Sequence, residues 1–184
     1  MTNTQILQWI KKNLSPYILR SISLHPGTFV TEALMAGIVC RETGGLIAKH
    51  AAEFPDIMEL AKHMKGDYTD RGDGKGLIPH GFGFTQIDIN AFPWFISTNA
   101  WLDPYKCFSQ SIAVLEGARA HILGRNPVLK GSTSLIHYSV AAYNCGAGNV
   151  DKALTQHIDP DRYTTAHNYS AEVFEFAEIY KTIV

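Results

Sequence analysis

A chain of 184 residues with 46% apolar and 18% charged residues is long enough to bury a sizeable core as one domain. Its formal net charge of −1 supplies no basic field of the kind that marks nucleic-acid binders, and no apolar run is long enough to insert in a membrane. Cys40, Cys107 and Cys145 include no CxxC pair and allow at most one disulfide, and their apolar helical surroundings predict small buried thiols. The stretch Met1 to Lys12 has no basic segment leading into an apolar run, so no secretory signal peptide is expected.

In chain order, Ile6, Leu7, Ile10 and Leu14 predict an amphipathic helix over roughly residues 3–14. Ser15-Pro16 suits the start of a second helical piece that runs to His25-Pro26-Gly27. Thr28 is placed to cap a third helix, about 29–43, which Gly44-Gly45 is expected to stop. A fourth fits Pro55 to Met64. The glycine- and aspartate-rich stretch 66–76 has no helical period, and Phe82, Phe84 and Ile87 suggest a short strand or small hairpin between 66 and 90. Helical patterning then resumes: Asp103-Pro104 to Gly124, Thr133 or Ser134 to Tyr143-Asn144, Asn149 to about Thr155, and about 168–182. The predicted class is α+β, mostly helical, with one small β element.

Glu42 stands out within this pattern. Counting back by fours reaches Ile38 and Leu34, which puts the carboxylate on an apolar face. Burial raises a carboxyl pKa, and the negative end of a helix that stopped at Gly44 would push the same way. A carboxylic acid kept protonated near neutral pH is what general-acid catalysis requires. Pairing with Arg41 or exposure at a frayed helix end is the competing reading of this stretch alone.

Other chemistries lack their residues. Asp67, Asp70 and Asp73 are spaced by three, without the alternation and closing Glu of an EF-hand. The histidines form no HExxH or HxH, and neither GxSxG nor a P-loop is present, so neither a metal nor any other cofactor is expected. Period-two alternation along a strand would put Phe84, Gln86 and Asp88 on one side. With Tyr143-Asn144 ahead of Gly146, this suggests a cleft for a polar, extended ligand.

These residues, in this order, resemble the lysozyme-like superfamily, specifically goose-type lysozymes and soluble lytic transglycosylases. Arg41-Glu42-Thr43 is similar to the catalytic-Glu motif. Gly81-Phe82-Gly83-Phe84-Thr85-Gln86-Ile87-Asp88 is similar to the Gly-Leu-Met-Gln-Ile/Val motif. Ala142 to Val150 matches Ala-Tyr-Asn-Ala-Gly-x-Gly-Asn-Val, and Asn168-Tyr169 resembles the tyrosine motif opening the last helix. Asp70-Arg71-Gly72 also resembles the Asp-Arg-Gly of goose-type enzymes. The matches span roughly 28–182. Departures are Thr43 for serine, Phe84-Thr85 for Leu-Met, Cys145 for alanine, and longer connections on both sides of Asp70.

The resemblance implies a lysozyme-like fold with a small β-hairpin beside the cleft, as one catalytic domain over 1–184. In it, 1–27 would be an N-terminal helical extension and 28–184 the core. It implies a muramidase that cleaves the β-1,4 bond between N-acetylmuramic acid and N-acetylglucosamine, with Glu42 as general acid. Gln86, Tyr143, Asn144 and Tyr169 would bind substrate, the tyrosines supporting Glu42. Inverting hydrolysis needs a second carboxylate, and Asp70 and Asp88 are its candidates, with Asp73 or Asp67 as replacements for Asp70. A lytic transglycosylase, giving 1,6-anhydro products, needs none; a glycan-binding relative without catalysis is a further alternative. The expected partner is a peptidoglycan glycan strand met by a monomer in the periplasm or outside the cell. Delivery by holin-type release, a secretion system or as a mature secreted form all fit, and an inhibitor or immunity protein is compatible.

Overall fold

The computed structural model of the chain describes residues 1–70 and 76–184, and of Asp70 the backbone alone. It is mostly helical, with a small three-stranded antiparallel sheet and a two-stranded ribbon. Helix α1 (Asn3–Asn13) opens with a reciprocal capping box between Thr2 and Gln5, and α2 (Ser15–Ser23) follows after Leu14. Both turn their apolar stripes inward. Leu7, Ile10, Leu14 and Ile18 are fully buried in the same core as Met35, Ile38 and Val39 of α3 (Glu32–His50) and Val173 of α9 (Tyr169–Thr182).

Helix α3 is the axis of the fold and differs from expectation at both ends. Thr31, not Thr28, is its cap, accepting from the Leu34 N–H at 3.2 Å, while the Thr28 hydroxyl donates to Glu116 at 2.6 Å. The helix also runs straight through Gly44-Gly45 to His50. Cys40, Thr43, Gly44 and Ile47 continue a buried i, i+3, i+4, i+7 stripe, and Gly44 lies against Ile6 of α1. Tertiary burial therefore outweighs the weak helix propensity of glycine, about 1 kcal/mol per residue.

Beyond a short α4 (Ile57–Ala61), the β elements are β1 (Lys65–Gly66), β2 (Thr69–Asp70), β3 (Leu77–Ile78), β4 (Gly81–Phe82) and β5 (Ile87–Asp88). The sheet order is β1-β4-β5, and β2 pairs with β3. Phe82 lies opposite Ile87 and Gly81 opposite Asp88, so Gly83 to Gln86 is the hairpin turn rather than part of a strand. The predicted alternation of Phe84, Gln86 and Asp88 on one strand face is thereby corrected. Phe84 is fully buried in the main core, Gln86 has φ 52°, and Asp88 is exposed on β5.

Helix α5 (Pro93–Ser97), not foreseen, leads to α6 (Pro104–Arg125), which Asp103 caps as expected. Helix α7 (Thr133–Cys145) is capped by Ser132 and ends at Gly146, whose φ of 83° suits glycine. Helix α8 (Ala147–Thr155) begins ahead of Asn149, so that residue lies within the helix instead of capping it. All three cysteines are free; Cys40 and Cys107 are buried, whereas Cys145 is partly exposed. No described helix is long and apolar enough to cross a membrane.

Candidate active site

Three consecutive side chains of α3 tie it to two elements, α9 and the β4–β5 turn. Arg41 reaches Glu172 of α9 at 2.8 Å and lies 5.6 Å from the centre of the Tyr169 ring. Glu42 accepts a 2.5 Å hydrogen bond from the Tyr169 hydroxyl. The Thr43 hydroxyl donates to the Phe84 carbonyl at 2.8 Å. The first two links fix one wall of a site around the carboxyl, and the third fixes the other.

Glu42 is half-buried, and loss of solvent at its carboxyl pushes the pKa up to about 7. The Tyr169 hydrogen bond opposes that shift, the like charge of Asp67 adds to it, and Arg41 lowers it. Because α3 continues for two turns beyond Glu42, the helix dipole expected from a stop at Gly44 is not the cause. Burial is. The same desolvation, with the adjoining Glu42, raises the Tyr169 phenol well above its ordinary value and keeps it a donor.

Tyr169 is itself over-determined. It is buried at the start of α9, and its N–H donates to the Thr164 hydroxyl at 3.2 Å. Asn144 accepts from the Thr165 N–H at 2.8 Å and so holds the turn that delivers the tyrosine. Asp161 accepts from the Ser170 and Ala171 N–H groups at 2.9 and 3.1 Å, satisfying otherwise orphaned donors of that helix end.

The opposite wall is the turn from Gly83 to Gln86. Tyr143 donates its hydroxyl to the Thr85 carbonyl at 2.8 Å, beside a buried Thr85–Ser111 hydroxyl pair 2.6 Å apart. The Tyr143 hydroxyl thus donates into the turn, while the charge of Glu42 is felt at its phenol. The Gln86 amide donates to the Gly83 carbonyl at 3.0 Å. Its carbonyl oxygen lies where a Cβ on Gly66 or Gly81 would come within 2.4 or 2.5 Å, so bare backbone on β1 and β4 admits it.

Beyond this turn lies a groove of about 420 Å³, with Gln86, Asp88, Tyr143 and His121 among its polar edges and Phe92 and Val114 along its apolar wall. That mix of one apolar surface with a few directed polar groups suits a sugar ring. His121 is held by Asp151 at 2.8 Å. This pair escaped the sequence because its members lie thirty residues apart on α6 and α8.

The candidate carboxylates separate. Asp88 borders the groove, but its Oδ1 accepts from the Asn90 and Ala91 N–H groups at 2.7 and 2.9 Å, so half of it caps a turn. Asp70 pairs with Leu77 through the backbone; its side chain, and the whole of Asp73, lie outside the described residues. Asp67 is exposed after β1 at φ 51°, and its charge is felt at Glu42. A non-glycine residue in that region is uncommon, though aspartate tolerates it better than most. No family model and no curated protein matches this sequence.

Proposed function

We propose that the protein is a peptidoglycan-cleaving muramidase on a lysozyme-like fold, with Glu42 as general acid. The observation that carries this reading is a half-buried carboxyl with a pKa near 7, hydrogen-bonded to a buried tyrosine and felt at Tyr143, which lines a saccharide-sized groove. A pKa near the working pH balances the fraction protonated against proton-donating power. Glu42 gives its proton to the glycosidic oxygen as the bond to the anomeric carbon breaks. The carboxylate left behind is stabilised by the Tyr169 hydroxyl and by Arg41. Neither group has to reorganise at that moment.

For hydrolysis, a water attacks the anomeric carbon from the opposite face and loses its proton to a second carboxylate, inverting the centre. Among the described residues, Asp67 is the carboxylate whose charge is felt at Glu42, and it is our candidate for that role. Asp88 is better suited to orienting sugar hydroxyls, given its turn-capping bonds. The same commitment of Asp88 favours the second reading, a lytic transglycosylase in which the muramoyl 6-hydroxyl closes on the anomeric carbon and gives its proton to the Glu42 carboxylate.

The cysteines do not compete as nucleophiles, since burial pushes the Cys40 and Cys145 thiols up to about 12 and about 11. Clearing of a peptidoglycan suspension tests the proposal. Glu42→Gln, isosteric and unable to give up a proton, should lower the rate about a thousandfold, within the usual range for a general acid. Retention of the wild-type rate would refute it.

A further inference from the structure

Across the α5–α6 ridge from the groove lies a second hollow of about 400 Å³ that the mechanism does not use. The two are neighbours: Phe92 and Val114 line the first, and Trp94 and Ala113 the second. Trp94 is 59% exposed on α5, braced edge-on against the buried Phe95, and Leu24, which also lines the hollow, is equally exposed. Together they give the hollow an exposed apolar lining. The same lining carries hydrogen-bonding groups. His25 is joined to Ser109 at 2.8 Å, and Gln110 and Lys106 project from α6 into the same lining.

We propose that this hollow is an auxiliary glycan-binding site that holds a peptidoglycan strand outside the cleft. The proposal rests on the muramidase reading for its choice of polymer. The apolar face of a pyranose covers an indole, while its hydroxyl and acetamido groups need donors and acceptors at the rim. Trp94, with His25, Ser109 and Gln110, supplies that division. Lys106 is placed for the lactyl or stem-peptide carboxylates of the same polymer. An apolar helix face docking here would desolvate these polar groups without supplying partners. A glycan strand satisfies them. Holding an insoluble polymer at a second point raises the effective concentration of its cleavable bonds at the cleft.

The test uses the full chain carrying Glu42→Gln, so that binding is measured without turnover, with pelleted sacculi and soluble peptide-free glycan strands as probes. Trp94→Ala should weaken both about tenfold, and Trp94→Phe should keep most of the affinity. With Glu42 restored, Trp94→Ala should slow digestion of sacculi while leaving kcat/KM on short soluble oligomers unchanged. Equal binding by Trp94→Ala and its parent would overturn the site. An equal loss of kcat/KM on short oligomers would overturn its independence from the cleft. If Trp94-dependent binding persists but the wild-type protein releases no muropeptides, the muramidase reading fails and the glycan site stands.

Discussion

At the residue scale, the pH dependence of cleavage should report the neighbours of Glu42 with opposite signs. The proposed mechanism needs the protonated acid, so the basic limb of kcat/KM is expected near the Glu42 pKa of about 7. Tyr169 donates to the carboxylate and lowers that pKa, so Tyr169→Phe should move the limb upward in pH. Asp67 raises it through like charge, so Asp67→Asn should move the limb downward, and should also cut kcat if Asp67 activates the water. A pH–rate profile of each variant checks both shifts. Stability follows by linkage. A carboxyl whose folded pKa lies above its unfolded value of about 4.5 destabilises the fold when ionised. The penalty is absent below pH 4.5, where both states are protonated, and grows to its full size above about pH 7. A shift of this size corresponds to about 3 kcal/mol. Denaturant unfolding should therefore show Glu42→Gln more stable than wild type at pH 8, by up to that amount, and nearly equal to it at pH 4.

At the element scale, the packing of α3 on α9 sets the distance from Glu42 to Tyr169. Gly37 lets the helices touch, because a Cβ there would sit 2.4 Å from the Val173 carbonyl and 3.3 Å from the Ala177 nitrogen. Gly37→Ala should cost about 2 kcal/mol through overpacking and lower activity as α9 shifts. Gly45→Ala meets nothing within 4 Å and, by helix propensity, should stabilise by about 0.5–1 kcal/mol without touching activity. Thermal unfolding of the pair separates the two glycines. The sequence shows why they are hard to tell apart: both sit in a helical period, and only the partner helix distinguishes them. The long helices, the Asp103 cap and the Glu42 face were legible because they follow from spacing within one segment. The end of α3, the turn at Gly83 to Gln86 and the role of Tyr143 were not. Each is decided by a distant partner: Ile6 for the double glycine, Thr43 and Tyr143 for the turn carbonyls. Asp67 was legible only as one acid among several, since its bearing on Glu42 comes from the placement of β1.

At the scale of the whole molecule, the site is a meeting of three elements around one helix. Helix α9 brings the hydrogen-bond donor, the β4–β5 turn brings the groove edge, and α7 clamps that turn from below. The first two helices bury Leu7, Ile10, Leu14 and Ile18 in the same core that supports α3. Removing residues 1–27 should therefore unfold the molecule rather than leave a soluble active remainder, as circular dichroism and size-exclusion chromatography would show. The central claim is that this assembly turns Glu42 into a glycosidic acid. Mass spectrometry of the products released from purified sacculi tests it most directly. The account predicts muropeptides ending in reducing N-acetylmuramic acid from the wild-type protein and none from Glu42→Gln. Products ending in the 1,6-anhydro ring would keep the acid but contradict water activation by Asp67. Release of no muropeptides by the wild-type protein, or equal release by Glu42→Gln, would contradict the account.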